Sequence, residues 1–329
     1  MRRREFITLL GGAAVAWPLA ARAQEPAMPL VGFLDAGLPE TRAYLLAAVR
    51  QGLAESGFVE GRNVAIDYRS AEGQFDRLPA LAAELVRRRV TVIITPGSAV
   101  STGAAKAATT TIPIVFSTGG DPVQLGLVAS LNRPGGNVTG FTEMNSELAP
   151  KRLGLLHELI PDAARFAILV DPNFISTSPT AITDVQAAAS AIGRQIEVLY
   201  AAGTIRDIDT AFASLVQKRV DALLVNPSAR FYGLRAQLAN VAALHAVPAI
   251  YWDRAFAEAG GLMSYGSNVT DLFRQVGVYA GRILKGEKPA DLPVQQATKF
   301  ELIINLKAAK AIRLTIPESL LLRADEVIE

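Results

Sequence analysis

The sequence predicts an α/β protein of two lobes, each built on a parallel sheet, because one buried-strand pattern occurs twice. Val90–Ser98 and Val220–Ser228 are both short runs of β-branched and aliphatic residues that stop at a proline and a small hydroxyl residue. A run of this length, apolar on both faces and followed by a helical pattern, is typical of a strand inside a parallel sheet. The two copies lie about 130 residues apart, which is far longer than a solenoid period.

The strands around this pair recur in the same order. Both members of the first pair end on an aspartate, and both members of the third carry a proline at their second position. The pairs are Leu30–Asp35 with Phe166–Asp171, Asn63–Tyr68 with Gln195–Tyr200, Ile112–Phe116 with Val247–Tyr251, and Gly136–Phe141 with Gly261–Gly266. The repetition predicts two lobes of one design.

Helical periodicity and helix-end signals place helices between these strands. Thr41–Gly57 ends on a glycine of the C-cap type, and Phe75–Arg88 ends in basic residues that complement a helix dipole. Further helices are predicted at Ser98–Thr109, Pro122–Leu131, Leu148–Leu159, Thr180–Ile192, Ile208–Val216, Arg230–His245 and Asp271–Leu284.

After the second copy, strand and helix patterns return once more. Phe300–Leu306 is predicted as a late strand and Ala308–Ile312 as a short helix, and Ile316–Ile328 forms the tail. This return predicts that the chain crosses between the lobes more than twice. Several crossings make a hinge, and a hinge makes a cleft that can close.

The composition indicates a globular chain that is long enough for two domains. Of the 329 residues, 50% are hydrophobic, and there is no cysteine, which excludes disulfides, thiolate metal sites and a cysteine nucleophile. The net charge is +2, and without the charged residues among the first 23 it is about −1. The charge therefore does not support nucleic-acid binding.

The first 23 residues have the features of a cleavable export signal. Arg2-Arg3-Arg4 supplies the positive region, Phe6–Ala20 is mostly apolar, and Ala21-Arg22-Ala23 is an A-x-A cleavage site. Arg3–Ile7 matches the twin-arginine pattern R-R-x-F-[I/L], although a Sec signal with extra arginines would contain the same residues. The mature protein is therefore predicted to be soluble in the periplasm.

Signatures of catalysis are weak throughout the sequence. Gly281–Gly286 has the spacing of a phosphate loop, but Glu287 stands where the lysine is required. Ser264 lacks the first glycine of a nucleophile elbow, and His157 and His245 lie in helical patterns as packing or surface residues. We therefore expect a protein that binds a ligand without transforming it, and no cofactor or metal.

Candidate ligand-binding residues of the first lobe follow the predicted strands. Asp35 ends the first strand and is either a partner for an ammonium or hydroxyl group or a helix cap. Gly97-Ser98-Ala99 opens a helix whose free N–H groups favour a carboxylate, and Ser98 also suits an N-cap. Thr118 and Asp121 flank two glycines that allow close approach of a ligand, and Asp121 before a proline also suits an N-cap.

Equivalent strand ends in the second lobe carry polar and aromatic residues. Aromatic side chains there can sandwich a flat ligand, or they can pack at the lobe interface. The candidates are Asp171, Asn173, Asn226, Ser228, Tyr232, Tyr251, Asp253 and Tyr265.

Several stretches together resemble a family of ABC-transporter solute-binding proteins that includes tryptophan-, tyrosine- and phenylalanine-binding members. They are Ala71-Glu72-Gly73, Gly120–Val123, Arg133–Gly140 (R-P-G-G-N-V-T-G), Gly261–Gly266 and Ile316–Glu329. Glu72 joins the candidate ligand-binding residues. The resemblance implies the type I periplasmic binding fold, with two Rossmann-like lobes and three hinge crossings. We expect one lobe at residues 27–145 plus 267–296 and the other at 146–266 plus 297–329.

The resemblance further implies capture of a small solute between the lobes and delivery of the closed form to a membrane permease. We expect a monomer that binds an aromatic amino acid or aromatic carboxylate. The helix end at Ser98 would take the carboxylate, Asp121 or Asp35 any ammonium, and Tyr232, Tyr251 or Tyr265 the ring. Two alternatives remain open: a binding protein that presents its ligand to a sensor, and an exported α/β enzyme.

Overall fold

The structure is a computed structural model that describes residues 28–145, 147–172 and 178–329. The predicted export signal and the candidate residue Asn173 lie outside these ranges. The strands are β1 (Leu30–Asp35), β2 (Ala65–Ser70), β3 (Val92–Thr95), β4 (Ile114–Thr118), β5 (Val138–Thr142), β6 (Arg165–Val170), β7 (Gln195–Tyr200), β8 (Ala222–Val225), β9 (Ala249–Tyr251), β10 (Met263–Ser267), β11 (Gln295–Gln296), β12 (Phe300–Asn305) and β13 (Glu326–Ile328).

Helices separate most of these strands. They are α1 (Pro39–Glu55), α2 (Leu78–Arg87), α3 (Ala99–Ala108), α4 (Ala149–Leu159), α5 (Ser178–Ala191), α6 (Ile205–Gln217), α7 (Ala229–Gly233), α8 (Arg235–Leu244), α9 (Arg254–Glu258), α10 (Val269–Leu284), α11 (Leu306–Ala311) and α12 (Glu318–Leu321). None of the helices within the described ranges combines the length and the apolar content that crossing a membrane requires.

Two sheets confirm the repeated design. One sheet has the strand order β11-β5-β4-β3-β1-β2, and the other has the order β13-β12-β10-β9-β8-β6-β7. The series β5-β4-β3-β1-β2 and β10-β9-β8-β6-β7 match position by position. Each strand of one sheet therefore occupies the same position as its sequence counterpart does in the other sheet. The strand pairs are parallel except for β10 with β12, which is antiparallel.

Helices cover both faces of each sheet, which explains why the strands are continuous apolar runs. In the first lobe, α1 and α10 pack on one face of the sheet, and α2 and α3 pack on the other. In the second lobe, α4 and α5 pack on one face, and α6, α8 and α9 on the other. The predicted two-lobe α/β fold is therefore confirmed.

The described chain passes between the two sheets three times. The first crossing follows β5 and leads into α4, the second joins β10 to α10, and the third joins β11 to β12. All three lie at the edge of the first sheet that holds β5 and β11, whereas β2 forms its opposite edge. These crossings agree with the hinge that the late strand predicted, while the lobe boundaries given above stay a prediction.

Three predicted elements differ from the structure. Residues 122–131 form turns instead of a helix, because Gly126 adopts φ +66° after one turn and Ala129 N–H donates to the Pro134 carbonyl. The helix predicted at Arg230–His245 is divided into α7 and α8 at Leu234, whose φ and ψ are −103° and 19°. The tail also contains β13, which pairs with β12 and extends the second sheet.

Helices α1 and α10 approach closely because glycines lie at their contact. A Cβ atom on Gly52 would lie 1.8 Å from the carbonyl oxygen of Arg274, and one on Gly277 would lie 2.2 Å from that of Val49. Carbon and oxygen atoms cannot approach to such distances without displacement. Both positions therefore require glycine for the helices to pack as they do.

Replacing Gly52 with alanine is expected to lower the free energy of unfolding by about 2 kcal/mol, because the helices must move apart to admit a methyl group. Gly103→Ala on α3 is the control, since a Cβ there meets no atom within 4 Å. That change is expected to raise the free energy of unfolding by about 0.5 kcal/mol, because alanine lowers the conformational entropy of the unfolded chain. Chemical denaturation of both variants tests this, and equal stabilities would contradict the close packing.

Candidate ligand-binding cleft

A cleft with two connected compartments lies between the carboxyl ends of the strands in the two lobes. The inner compartment, of about 70 Å³, includes Glu143 and Asn145 from the first crossing. The outer compartment, of about 180 Å³, lies against the loops after β1 and β2, on the side away from the crossings. Residues that line both compartments are Arg42, Gly97, Ala229 and Tyr232.

Arg42, in the first turns of α1, is the cation at the centre of this cleft. Its Nη1 donates to Asp35 Oδ1 at 2.9 Å and to the Pro96 carbonyl at 3.3 Å. Burial disfavours the charged form of Arg42, but the charge and hydrogen bond of Asp35 outweigh burial and raise the pKa of the guanidinium. Tyr68 donates to the other oxygen of Asp35 at 2.9 Å. Asp35 therefore lies behind the cleft wall and orients Arg42.

Glu143 brings a carboxylate to the inner compartment from the first crossing. Its Oε2 accepts a hydrogen bond from Asn145 at 2.8 Å, while Oε1 lies 3.9 Å from where a Cβ on Gly97 would be. The same point is 3.4 Å from Arg42 Nη2, so Gly97 (φ +59°) leaves space between the two charged groups. Burial, assisted by the charge of Asp253, raises the pKa of Glu143 to about 7.

Three helix N-termini face the inner compartment, and each is capped by a residue that the sequence singled out. Ser98 Oγ accepts from Ser101 N–H at 3.2 Å at the start of α3, and Asp253 accepts from Ala255 N–H at 2.8 Å at the start of α9. Ser228 caps α7 and donates to Asp171 at 2.7 Å. Burial, with a smaller contribution from the charge of Glu258, raises the pKa of Asp253.

Tyrosines join the two lobes across the cleft. The hydroxyl groups of Tyr44 on α1 and Tyr232 on α7 lie 2.8 Å apart. Burial raises the pKa of both phenols, so they remain neutral and hydrogen-bonded. Trp252 packs against Phe256 at a ring-centroid distance of 4.5 Å and lines the inner compartment. The lobes are therefore in contact across the cleft through this pair of hydroxyl groups.

A buried arginine connects two of the crossings. Arg152 on α4 has no exposed surface, and its Nε donates to the Tyr265 carbonyl at 2.7 Å, in the middle of β10, the strand that leads into the second crossing. Its Nη1 and Nη2 donate to the backbone and side-chain oxygens of Asn145 at 2.9 Å and 3.3 Å. Because Asn145 also donates to Glu143, one hydrogen-bonded chain runs from the cleft into the hinge. Burial lowers the pKa of Arg152 to about 9.

Eight of the predicted residues line the cleft. They are Glu72, Gly97, Ser98, Ala99, Thr118, Ser228, Tyr232 and Asp253. Six others lie elsewhere: Asp35 behind Arg42, Asp121 in a turn where it accepts from Val123 N–H, Asp171 against Ser228, Asn226 buried after β8, Tyr251 stacked on Phe256, and Tyr265 beside Phe300. Asn173 lies outside the described residues, and the ligand-binding roles of all these residues stay predictions.

The main residues that sequence reasoning missed are Arg42, Tyr44, Glu143 and Asn145. The first two lie in the opening turns of a helix that follows β1, where α/β folds place ligand-binding groups, so this signal was present in the sequence. Glu143 and Asn145 lie in a crossing segment without any motif. Among the described residues, no cluster of three or more histidine, aspartate or glutamate side chains could hold a metal.

The family model described as ABC transporter substrate binding protein matches residues 41–328. A tyrosine-binding protein of Clostridioides difficile (strain R20291) is 28% identical over 265 residues, covering 80% of this chain and 74% of that protein. Among solved structures, the ABC domain in complex with L-Trp from Streptococcus pneumonia has a TM-score of 0.82 at 26% identity, covering 91% of this chain and 99% of that one.

A second solved structure is the ligand-free, open form of a substrate-binding protein with adhesive properties from Clostridium difficile. Its TM-score is 0.71 at 24% identity, and the match covers 91% of this chain and 99% of that one. The predicted type I periplasmic binding fold is confirmed by these likenesses together with the strand order. Because the family model spans most of its length, the chain belongs to the ABC transporter substrate-binding protein family.

Proposed function

We propose that the protein is the exported solute-binding component of an ABC importer and that it delivers an aromatic amino acid to a membrane permease. The observation that carries the ligand class is the set of charges in the inner compartment, where one guanidinium, Arg42, faces two carboxylates, Glu143 and Asp253. One cation and two anions suit a zwitterion, whose carboxylate pairs with the first and whose ammonium pairs with the others.

The charges of the two acids support an ammonium site. Each is buried, and the charge of Asp253 raises the pKa of Glu143. A cation bound between the two carboxylates would offset the cost of burying their charges and would reduce the repulsion between them. Asp35 and Asp121, which the sequence favoured for this role, use their oxygens for Arg42 and for turn N–H groups instead. We therefore assign the ammonium to Glu143 and Asp253, and the carboxylate to Arg42 and the N-terminus of α3.

The proposal that the ligand is aromatic is supported by the residues that line the cleft and by the ligands of two related proteins. Aromatic side chains line both compartments of the cleft: Tyr44, Tyr232, Trp252 and Phe273 line the inner one, and Phe75 and Tyr232 line the outer one. Flat apolar side chains bind flat ligands. The relative from Clostridioides difficile is a tyrosine-binding protein, and the structure from Streptococcus pneumonia contains L-Trp. The bound ligand then favours the closed state of the two lobes, because that state contacts it from both sides.

Thermal-shift measurements on residues 24–329 test this proposal. We expect tyrosine, phenylalanine or tryptophan to raise the melting temperature, because a ligand at 100 times its Kd stabilises the folded state by about 2.7 kcal/mol. Phenylpropionate, which lacks the ammonium, and phenethylamine, which lacks the carboxylate, are the matched controls and should shift it much less. Equal shifts with phenylpropionate and phenylalanine would contradict the ammonium site. No shift with any aromatic amino acid would contradict the ligand class.

A further inference from the structure

The outer compartment is the larger and less polar part of the cleft. Its walls include Ala36, Leu38 and Phe75 from the first lobe and Ala229 and the ring of Tyr232 from the second. Its ionised groups are Arg42, which it shares with the inner compartment, Glu72, which pairs with Arg77, and Arg230, which pairs with Asp171. Most of the remaining lining is apolar. A compartment of this lining suits an apolar group.

The sizes of the two compartments assign them to different parts of a ligand. A protein cavity of about 150 Å³ lined by apolar side chains is large enough to bind benzene. The outer compartment, at about 180 Å³, exceeds that value slightly, whereas the inner one, at about 70 Å³, is less than half of it. The outer compartment is therefore the better match for a six-membered ring, and the inner one suits the compact polar end of an amino acid.

One molecule can occupy both compartments because they share Arg42, Gly97, Ala229 and Tyr232 as walls. We infer that the ligand lies with its ammonium and carboxylate towards the crossings and with its ring in the outer compartment. This inference rests on the proposed function and deepens it. Because the volume of the outer compartment is only slightly above that of a cavity that binds benzene, we expect it to favour a single six-membered ring, as in phenylalanine or tyrosine, over the fused rings of tryptophan.

Gly233 provides a way to fill the outer compartment without disturbing its walls. It lines the compartment at the end of α7, and a Cβ on it would meet no atom within 4 Å. Because Gly233 lines the compartment, we expect the larger side chain of Gly233→Leu to reduce the space that we assign to the ring. Gly154→Leu on α4 is the matched control, because a Cβ there is equally free and Gly154 lines neither compartment.

Isothermal titration calorimetry with phenylalanine, tyrosine and tryptophan tests the inference on the same purified protein. We expect the unchanged protein to bind phenylalanine or tyrosine at least tenfold more tightly than tryptophan. Gly233→Leu should weaken phenylalanine binding at least tenfold, and Gly154→Leu should leave it unchanged. Unchanged binding of phenylalanine to Gly233→Leu would overturn the ring site while the proposed function stands. Failure of the unchanged protein to bind any of the three would overturn both.

Phe75→Ala provides a test in the opposite direction if Gly233→Leu does not fold. Removing the Phe75 ring enlarges the outer compartment, so the preference for phenylalanine over tryptophan should fall at least fivefold or reverse. An equal loss of affinity for both ligands would contradict selection by the size of this compartment.

Discussion

Replacing Arg42 with methionine is expected to lower the free energy of unfolding by roughly 3–5 kcal/mol and to weaken amino-acid binding at least about 30-fold. The stability effect arises because Asp35 has no exposed surface and would lose its cationic partner, keeping, among the residues that the structure describes, the hydroxyl of Tyr68 and the N–H of Gly37. The binding effect arises because the ligand carboxylate would lose its guanidinium. Chemical denaturation measures the first effect, and calorimetry measures the second.

Two further variants separate these effects. Asp35→Asn combined with Arg42→Met removes the buried charge, so stability should largely return while binding stays weak. Arg50→Met on the same helix removes an exposed ion pair with Glu60 and should change stability by less than about 1 kcal/mol. Recovery of binding in the double variant would contradict the role of Arg42. If Asp35→Asn alone weakens the binding of ligands that carry an ammonium and of no others, Asp35 is the ammonium partner after all.

Replacing Glu143 with glutamine is expected to stabilise the ligand-free protein above neutral pH while weakening its binding of amino acids. In the folded protein the pKa of Glu143 is raised from 4.5 to about 7, chiefly by burial. The neutral form is therefore favoured by folding, and this contribution is complete below the unfolded pKa and is lost as the pH rises towards 7. At 1.36 kcal/mol per pKa unit, glutamine should stabilise the protein at pH 8 by about 3 kcal/mol.

The raised pKa of Glu143 also predicts that amino-acid binding depends on pH, and Glu143→Gln tests this. Below about pH 7 the Glu143 carboxyl is protonated and offers no charge to an ammonium, so phenylalanine affinity should fall by up to tenfold per pH unit. In Glu143→Gln the affinity should be weaker and should depend less steeply on pH between 5 and 8, with the Asp253 carboxyl, whose pKa is also raised, left in the site. Phenylpropionate should show little dependence with either protein. Calorimetry across this range tests it. Parallel pH profiles for the two proteins would exclude Glu143 from the ammonium site.

Much of the fold could be predicted because its signals are local. Strand β1 (Leu30–Asp35) begins and ends where the apolar run does, since a strand inside a parallel sheet has no polar face. Strand β7 (Gln195–Tyr200), at the edge of its sheet, also has the predicted bounds. The segment at residues 122–131 was misread because its composition allows a helix. The left-handed Gly126 and the hydrogen bond from Ala129 to Pro134 end the first turn there.

The sequence predicted where the site lies better than it predicted which side chains are available to bind a ligand there. Ser98, Ser228 and Asp253 were found because each follows a strand and opens a helix, and this local pattern brings each to the cleft. Asp35 ends a strand, but its oxygens are taken by Arg42 and by Tyr68, which lies 33 residues away on β2. Which oxygens remain free for a ligand depends on partners that sequence spacing does not reveal.

The sequence by itself determined two α/β lobes of one design, their repeated strand order and the cleft edge at which strand ends meet. Only the tertiary structure decided that Arg42, Glu143 and Asp253 face one another and that the compartments differ in size. The physical reason is the range of the interactions. Strand and helix patterns are set by neighbours along the chain, whereas burial, pKa and cavity shape arise where segments more than 100 residues apart come together, as for Tyr44 and Tyr232.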